Sequence, residues 1–340
     1  MGGDHGPSVI LPASLMALSQ YSQLKLILVG DETLLNKRLQ KYRRKFKSVF
    51  DRLVIHHASQ SVEMDEEPAH ALRSKKDSSM RVAINLVKEN LAQACVSAGN
   101  TGALMAIARF VLKTIPGIDR PAIVSSFPTR GKSIFMLDLG ANVDSSAEQL
   151  LQFALMGSVL ASAVGNITHP QVCLLNIGEE DIKGNEQVKA SAQLLSNFSS
   201  INYAGFIEGD EIFNGTTDVV VCDGFVGNVA LKTSEGTAIF IGRLLKEAYN
   251  QNWLTKFVGL LSLPILKRVI KRINPDFYNG ATLIGLKGIV IKSHGSAKAA
   301  AFTQAITKAF LQIEKNIPEQ ISSAINKILP TEDGNKSAPL

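Results

Sequence analysis

The sequence predicts an α/β fold, a mostly parallel but mixed sheet flanked by helices, and three observations predict it. Short runs rich in Val, Ile and Leu alternate with longer amphipathic stretches along most of the chain. Most of these runs are apolar on both faces, as strands covered by helices from both sides must be. At one place two runs are joined by only PTRGK, which is too short for a parallel crossover and reads as a β-hairpin.

In chain order, the first helical pattern covers 8–19 and the first strand is LKLILVG at 24–30. A helix at 32–46 leads to a strand at 52–56. A helix at 79–90 then precedes the strand at 93–97, and a third helix-strand unit begins at 101–113. The hairpin pairs 121–127 with 133–139. Beyond it lie a helix at 146–165, the strand QVCLLN at 171–176, a helix at 184–198, the strand DVVVC at 218–222, a helix at 227–248 and a strand at 288–292. Strand following helix following strand argues for one α/β unit. Residues 1–330 read as a single domain with a helical projection at about 240–277, and TEDGNKSAPL at 331–340 reads as a disordered tail.

Composition narrows the function classes. The 340 residues are 45% hydrophobic and 19% charged, ordinary for a globular chain. The N-terminus lacks the basic start and apolar run of a secretory signal. The apolar stretch Phe257–Leu266 is about half of the roughly 20 residues a membrane span needs, and it contains Pro264. Cys95, Cys173 and Cys222 each lie in an apolar run, which suits buried thiols in a reducing compartment. No CxxC or HxxxH pair offers a metal site, and neither GxxxxGK[ST] nor a GxGxxG after the first strands is present. The net charge of +6 is concentrated: residues 37–47 hold seven cations and no acid, and a second cluster is Lys267, Arg268, Lys271 and Arg272. Such patches imply acidic partners, although a run like 37–47 also reads as a solvated helix face. Aromatics at 6% and the lack of a helix-turn-helix, RRM or zinc pattern argue against nucleic acid.

Four glycine-rich turns follow strands: SAGNTGALM (97–105), DLGANVD (138–144), NIGEEDIKGNE (176–186) and CDGFVGNVALKT (222–233). Each places glycines and an Asn, Thr or Asp at a helix start, where exposed N–H groups favour an anion such as phosphate. Each alone could be an ordinary capped turn. Chain order suggests that all four lie on one side of the sheet and share a cleft.

With MGGDHGP (1–7), LVGD (28–31), DEEPAHALRSKKDSSM (65–80), GIDRPA (117–122) and GLKGIVIKSHGSA (285–297), these segments resemble the PlsX-type phosphate acyltransferases in order across about 300 residues. The resemblance implies an isopropylmalate-dehydrogenase-like and phosphotransacetylase-like fold. It implies acyl transfer from acyl carrier protein to inorganic phosphate, no metal or organic cofactor, a homodimer, and delivery of acyl phosphate to a membrane glycerol 3-phosphate acyltransferase. It also implies a short strand ending in Asp-Ala before the MGGD motif, bearing on where Asp4 and His5 sit. A phosphotransacetylase-like use of acyl-CoA is the alternative; basic surface runs favour the carrier protein.

Phosphate is already an oxyanion, so the chemistry needs two adjoining anion sites more than a strong base. The sequence-based assignment puts phosphate on Asn100, Thr101 and Gly102 with Lys183 as counter-charge, and Asn185 and Glu186 beside Lys183. Asn228, Lys232 and His294 are candidates for the carbonyl oxyanion and leaving sulfur, with Asp223 as a supporting acceptor. Lys183 could instead be a solvated lysine, and His294 a packing or capping residue. Cys222 reads as core rather than nucleophile. In 250–274, Ile265, Leu266, Val269, Ile270 and Ile273 share one helical arc opposite the four cations. Trp253, Phe257, Leu260 and Leu261 precede Pro264, expected to divide the segment into two helices. This basic amphipathic hairpin reads as a contact for anionic lipid, making the protein cytoplasmic and peripherally membrane-associated; a dimer-interface or core-packing helix is the alternative.

Overall fold

A computed structural model describes residues 1–273 and 278–328, with the side chains of 271–273 and 328 excluded. The chain opens with α1 (Pro7–Gln20), β1 (Leu26–Gly30), α2 (Glu32–Leu39) and β2 (Leu53–His57), followed by α3 (Pro68–Ser74), α4 (Ser79–Lys88), β3 (Ala94–Ser97) and α5 (Thr101–Leu112). The hairpin of β4 (Ala122–Pro128) and β5 (Ser133–Leu137) leads to α6 (Ala147–Gly165), β6 (Gln171–Leu175), α7 (Glu186–Ser196), β7 (Asn202–Ile207) and β8 (Val219–Val221). Two long helices, α8 (Gly224–Asn250) and α9 (Trp253–Ile273), precede β9 (Ala281–Ile284), β10 (Ile289–Lys292), α10 (Ala299–Glu314) and α11 (Ile317–Ile328). The tail at 331–340 lies outside the described residues.

Eight strands form one sheet in the order β3-β10-β9-β4-β5-β8-β6-β7, and β1 and β2 form a separate parallel pair. The hairpin is antiparallel as expected. Its presence, with β9 antiparallel to both neighbours, divides the sheet by direction. On one side β3 and β10 are parallel; on the other β5, β8, β6 and β7 are parallel to one another and run opposite to β3 and β10. The sheet therefore has an upper edge, where β3 and β10 end, and a lower edge, where β5, β6, β7 and β8 end.

Helices α4, α5 and the start of α8 cover one face of the sheet over Ile107, Met136, Val220 and Val290. The other face is covered by α6 and α11, around Phe153, Leu137 and Val219, and by α10 over Ile289 and Ile291. Helix α6 is long and apolar enough to cross a membrane, but Phe153, Met156 and Leu160 bury it in this core. Several helices start on a side chain that accepts a backbone N–H, as Ser146 does in a capping box with Gln149.

Some expectations change. The helix expected at 32–46 ends at Leu39 and gives way to a short 3₁₀ turn, although Tyr42 and Phe46 still pack on the core that holds Leu35 and Leu39. Pro264 does not divide its segment: α9 runs through it, and the break comes at Gln251 and Asn252. An internal proline forfeits one ladder hydrogen bond, and α1 tolerates Pro12 in the same way. Strands β7 and β9 and helices α3, α10 and α11 were not legible in the sequence.

Between β1 and β3 is a cavity of about 770 Å³, lined by Leu26–Val29 on one side and Ala94–Ala98 on the other. Among the described residues the two facing strand edges have no partner.

Candidate active site

Sequence first dictates the upper edge. β3 ends at Ser97 and Asn100 caps α5: its Oδ1 accepts the Ala103 N–H at 3.0 Å. Its Nδ2 donates to the carbonyls of Met64 and Glu66, both at 2.9 Å. The Asn100 side chain is thus a buried clamp between two loops and is not open to phosphate, contrary to expectation. Thr101 and Gly102 are different. Both are exposed, and their backbone N–H groups have no acceptor among the described residues. They are the orphan donors of the first helical turn, at the positive end of the helix dipole.

The loop after β10 lies beside this turn, since the Ser293 N–H donates to the Ser97 carbonyl at 2.8 Å. Asn279 fixes that loop: its Oδ1 accepts the His294 N–H at 2.9 Å and its Nδ2 donates to Ser293 Oγ at 2.7 Å. His294 is exposed, with Nδ1 2.8 Å from Ser296 Oγ, so Nε2 is the ring atom left to meet a ligand. The N-terminal loop closes the group, with the Asp4 N–H donating to the Gly295 carbonyl at 3.0 Å.

Lys292, the last residue of β10, was missed by sequence reasoning. It shares a sheet face with Val290, the face that α5 covers, and is paired level with Ser97. It is 9% exposed. Burial pushes its pKa down to about 8; Lys232 adds to the fall and Asp4 opposes it. Lys232 on α8 therefore belongs to this neighbourhood, although its Nζ also pairs with Glu235 at 2.8 Å. The signal in the sequence was a lysine ending the otherwise apolar strand GIVIK.

The lower edge is built differently. Asp138 is fully buried; its Oδ1 accepts the N–H groups of Ile123 and Ala141, each at 2.9 Å. Its Oδ2 accepts the Asn142 N–H at 2.8 Å and Asn142 Nδ2 at 2.9 Å. Burial raises the Asp138 pKa, and these hydrogen bonds offset part of that. Asp223 caps α8 through Val226, and Asn185 caps α7 through Val188, both at 2.9 Å. Both side chains thus serve first as helix caps. Glu186 pairs with Lys189 at 3.8 Å rather than with Lys183. Lys183 is exposed, its carbonyl accepting from Asn176 Nδ2 at 3.3 Å. Asn228 is exposed against Gly140 and makes no side-chain hydrogen bond among the described residues. Cys222 is buried, its thiol pushed well up by burial, so it is no nucleophile.

The four turns therefore do not share one side of the sheet. SAGNTG is at the upper edge, whereas DLGANVD, NIGEED and CDGFVG are at the lower edge. Lys183 follows β6 and Asn100–Gly102 follow β3, six strand spacings apart, about 25–30 Å, and at opposite edges. Within one chain Lys183 cannot be the counter-charge to an anion at Gly102. The loop bearing His294 is tied at Ser293 to Ser97, the end of the strand that leads into Thr101 and Gly102, and Lys232 and Lys292 do come within electrostatic reach of each other. Helix α8 makes this happen: it starts at the lower edge and climbs the sheet face, and α9 returns the chain to β9, whose first residue is at the upper edge. At 27 residues α8 is about 40 Å long, so the α8–α9 hairpin extends past the sheet. Trp253, Phe257, Leu260 and Leu261 are exposed on that hairpin. Ile265, Val269 and Ile270 are exposed too, so this arc is not core within the chain; Lys271, Arg272 and Ile273 have side chains outside the described set.

A family model described as fatty acid synthesis protein matches residues 1–320. The chain belongs to that family. It is 60% identical over 323 residues to the phosphate acyltransferase of Nitrosococcus oceani, covering 95% of this chain and 94% of that protein. It is 58% identical over 330 residues to the phosphate acyltransferase of Coxiella burnetii, covering 97% and 96%. The chain is an acyltransferase of the phosphate acyltransferase, or PlsX, type. Among solved structures it is similar to the EutD phosphotransacetylase from Staphylococcus aureus, with a TM-score of 0.55 at 14% identity over 94% of this chain and 91% of that one. A branched-chain phosphotransacylase from Enterococcus faecalis gives 0.51 at 16% identity over 84% and 97%. These two likenesses establish the α/β fold of the acyltransferase.

Proposed function

We propose that the acyltransferase moves a fatty acyl group from acyl carrier protein to inorganic phosphate at the upper edge of its sheet. The observation that carries this reading is the open first turn of α5, with two unfilled N–H donors beside Lys232 and His294. Phosphate seated on Thr101 and Gly102 needs no base, because it is already ionised. The thioester carbonyl then lies towards His294 and Lys232, where the developing oxyanion and the departing thiolate meet cationic or donor groups. Asp223, Asn185, Glu186 and Lys183, at the lower edge, stand outside this site within one chain, whereas Asn228 lies one turn of α8 before Lys232.

The product would be an acyl phosphate, consumed by a membrane glycerol 3-phosphate acyltransferase. A cytoplasmic enzyme held at the membrane surface fits that handover. The exposed Trp253, Phe257, Leu260 and Leu261, with Lys267 and Arg268 exposed nearby, support contact with anionic lipid. A homodimer is supported by Phe225, Val229, Phe240 and Leu244, apolar residues that α8 leaves exposed. The test is direct: incubate the protein with phosphate and either an acyl carrier thioester or acyl-CoA, and trap acyl phosphate with hydroxylamine. Hydroxamate from the carrier thioester is expected; hydroxamate from acyl-CoA alone would assign the donor to the alternative. For the membrane, Leu260→Glu, Leu261→Glu protein should no longer float with anionic liposomes, and flotation equal to the parent would reject that contact.

A further inference from the structure

We propose that Lys292 is the cation of the phosphate site, the part that the sequence assigned to Lys183. The proposal rests on the upper-edge reading above and names the group that completes it. Three observations carry it. Lys292 is nine-tenths buried, and among the described residues no carboxylate lies within ion-pair reach of it. An ammonium held this way is costly unless something anionic completes it. Among the described residues its one hydrogen-bond acceptor is the carbonyl of Ser293, its own neighbour, which leaves two of its three donors without a described acceptor. Its position is the third: it ends β10 on the α5 face, level with Ser97, just below the turn that presents the Thr101 and Gly102 amides.

A second lysine shows what a purely structural role looks like. Lys308 is partly buried, its pKa likewise pushed down to about 8 by burial. It donates to Tyr278 O at 2.7 Å, Gly280 O at 3.0 Å and Ser126 Oγ at 3.3 Å, which fills all three donors. Lys308 is a completed clamp at the point where the α8–α9 hairpin rejoins the domain. Lys292 has no such set of acceptors. Lys232 approaches it with like charge, offset in part by the more distant Asp4 carboxylate, and a shared anion would turn that repulsion into attraction. A tetrahedral dianion on the α5 turn would accept from Thr101 and Gly102 on the helix side and from Lys292 on the sheet side. One phosphate oxygen stays free to attack the thioester carbon. A lysine here binds as a point charge and leaves that oxygen's direction to the helix amides.

The test measures binding of inorganic phosphate to the full chain, with no acyl donor present, by calorimetry. Lys292→Met should weaken phosphate at least about tenfold, equivalent to about 1.4 kcal/mol, while Lys292→Arg retains most of the affinity. In turnover Lys292→Met should raise the KM for phosphate and leave that for the acyl donor unchanged. Because a buried substitution can unfold the chain, the parent protein supplies a second measurement. Phosphate should slow labelling of Lys292 by an amine-acylating reagent, read by mass spectrometry, and leave labelling of Lys183 unchanged. A folded Lys292→Met protein that binds phosphate like the parent would overturn the proposal, as would labelling of Lys292 indifferent to phosphate. The two readings fail separately: phosphate bound through Lys292 without any hydroxamate formed would reject the proposed function alone.

Discussion

The two edges of the central sheet carry similar glycine-rich turns but use their polar side chains in opposite ways. At the lower edge the helix caps and the buried carboxylate answer one another, while the exposed side chains of Lys183 and Asn228 have no hydrogen-bond partner among the described residues. Asp138 accepts four hydrogen bonds from Ile123, Ala141 and Asn142, and Asp223 and Asn185 cap their helices. At the upper edge Asn100 is equally occupied, but Thr101, Gly102 and Lys292 keep donors without acceptors among the described residues. A turn whose donors are filled from within builds the fold, whereas one with a surplus of donors can hold an anion. Resemblance between motifs does not separate these cases; the hydrogen-bond inventory does.

The largest effect that would sharpen this contrast is at Asp138. Asp138→Ala strands the N–H groups of Ile123, Ala141 and Asn142 in the core, so it should cost about 3–5 kcal/mol of stability in denaturant unfolding. Gly227→Ala should act in the same direction, by about 2–3 kcal/mol, because a Cβ there would lie 1.8 Å from the Asp138 carbonyl oxygen. Asp138 lies at the lower edge, so the folded fraction of the Asp138→Ala protein should bind phosphate as the parent does.

A smaller effect follows from pH. The Lys292 pKa is lowered to about 8, so its charge is present below that value and lost above it. Binding of sulfate, whose own charge is constant over this range, should weaken as pH rises through about 8. The stability consequence has the opposite sense. The unfolded lysine holds its proton up to about 10.5, so between about 8 and 10.5 the unfolded chain binds more protons and the fold gains stability with pH. Lys308 contributes in the same direction. Sulfate titration by calorimetry and melting curves across pH check both signs. The smallest expected effect is at Lys183: Lys183→Ala should leave phosphate affinity within about twofold, and a loss like that of Lys292→Met would break the contrast between the edges.

Much of the candidate site was legible in the sequence as neighbourhoods. Thr101, Gly102, Lys232 and His294 were each found from glycine-rich turns and resemblance, and the loop bearing His294 is tied to the strand that leads into Thr101 and Gly102. Lys292 was missed because nothing local distinguishes a lysine that ends a buried strand from one that leaves a strand for solvent. Asn100 was misread because its three carbonyl acceptors belong to residues 63–66, more than thirty positions away in the chain. Strands β7 and β9 escaped for a simpler reason: NYAGFI mixes polar with apolar residues, and ATLI is only four residues long.

By itself the sequence determined the class of fold, the hairpin, the strand-turn-helix units and the family, because apolar period, cap residues and turn glycines act over a few neighbouring residues. The tertiary structure alone decided which end of the sheet each turn occupies. That depends on β9 pairing antiparallel with β4, a segment about 160 residues away in the chain, which no local pattern records.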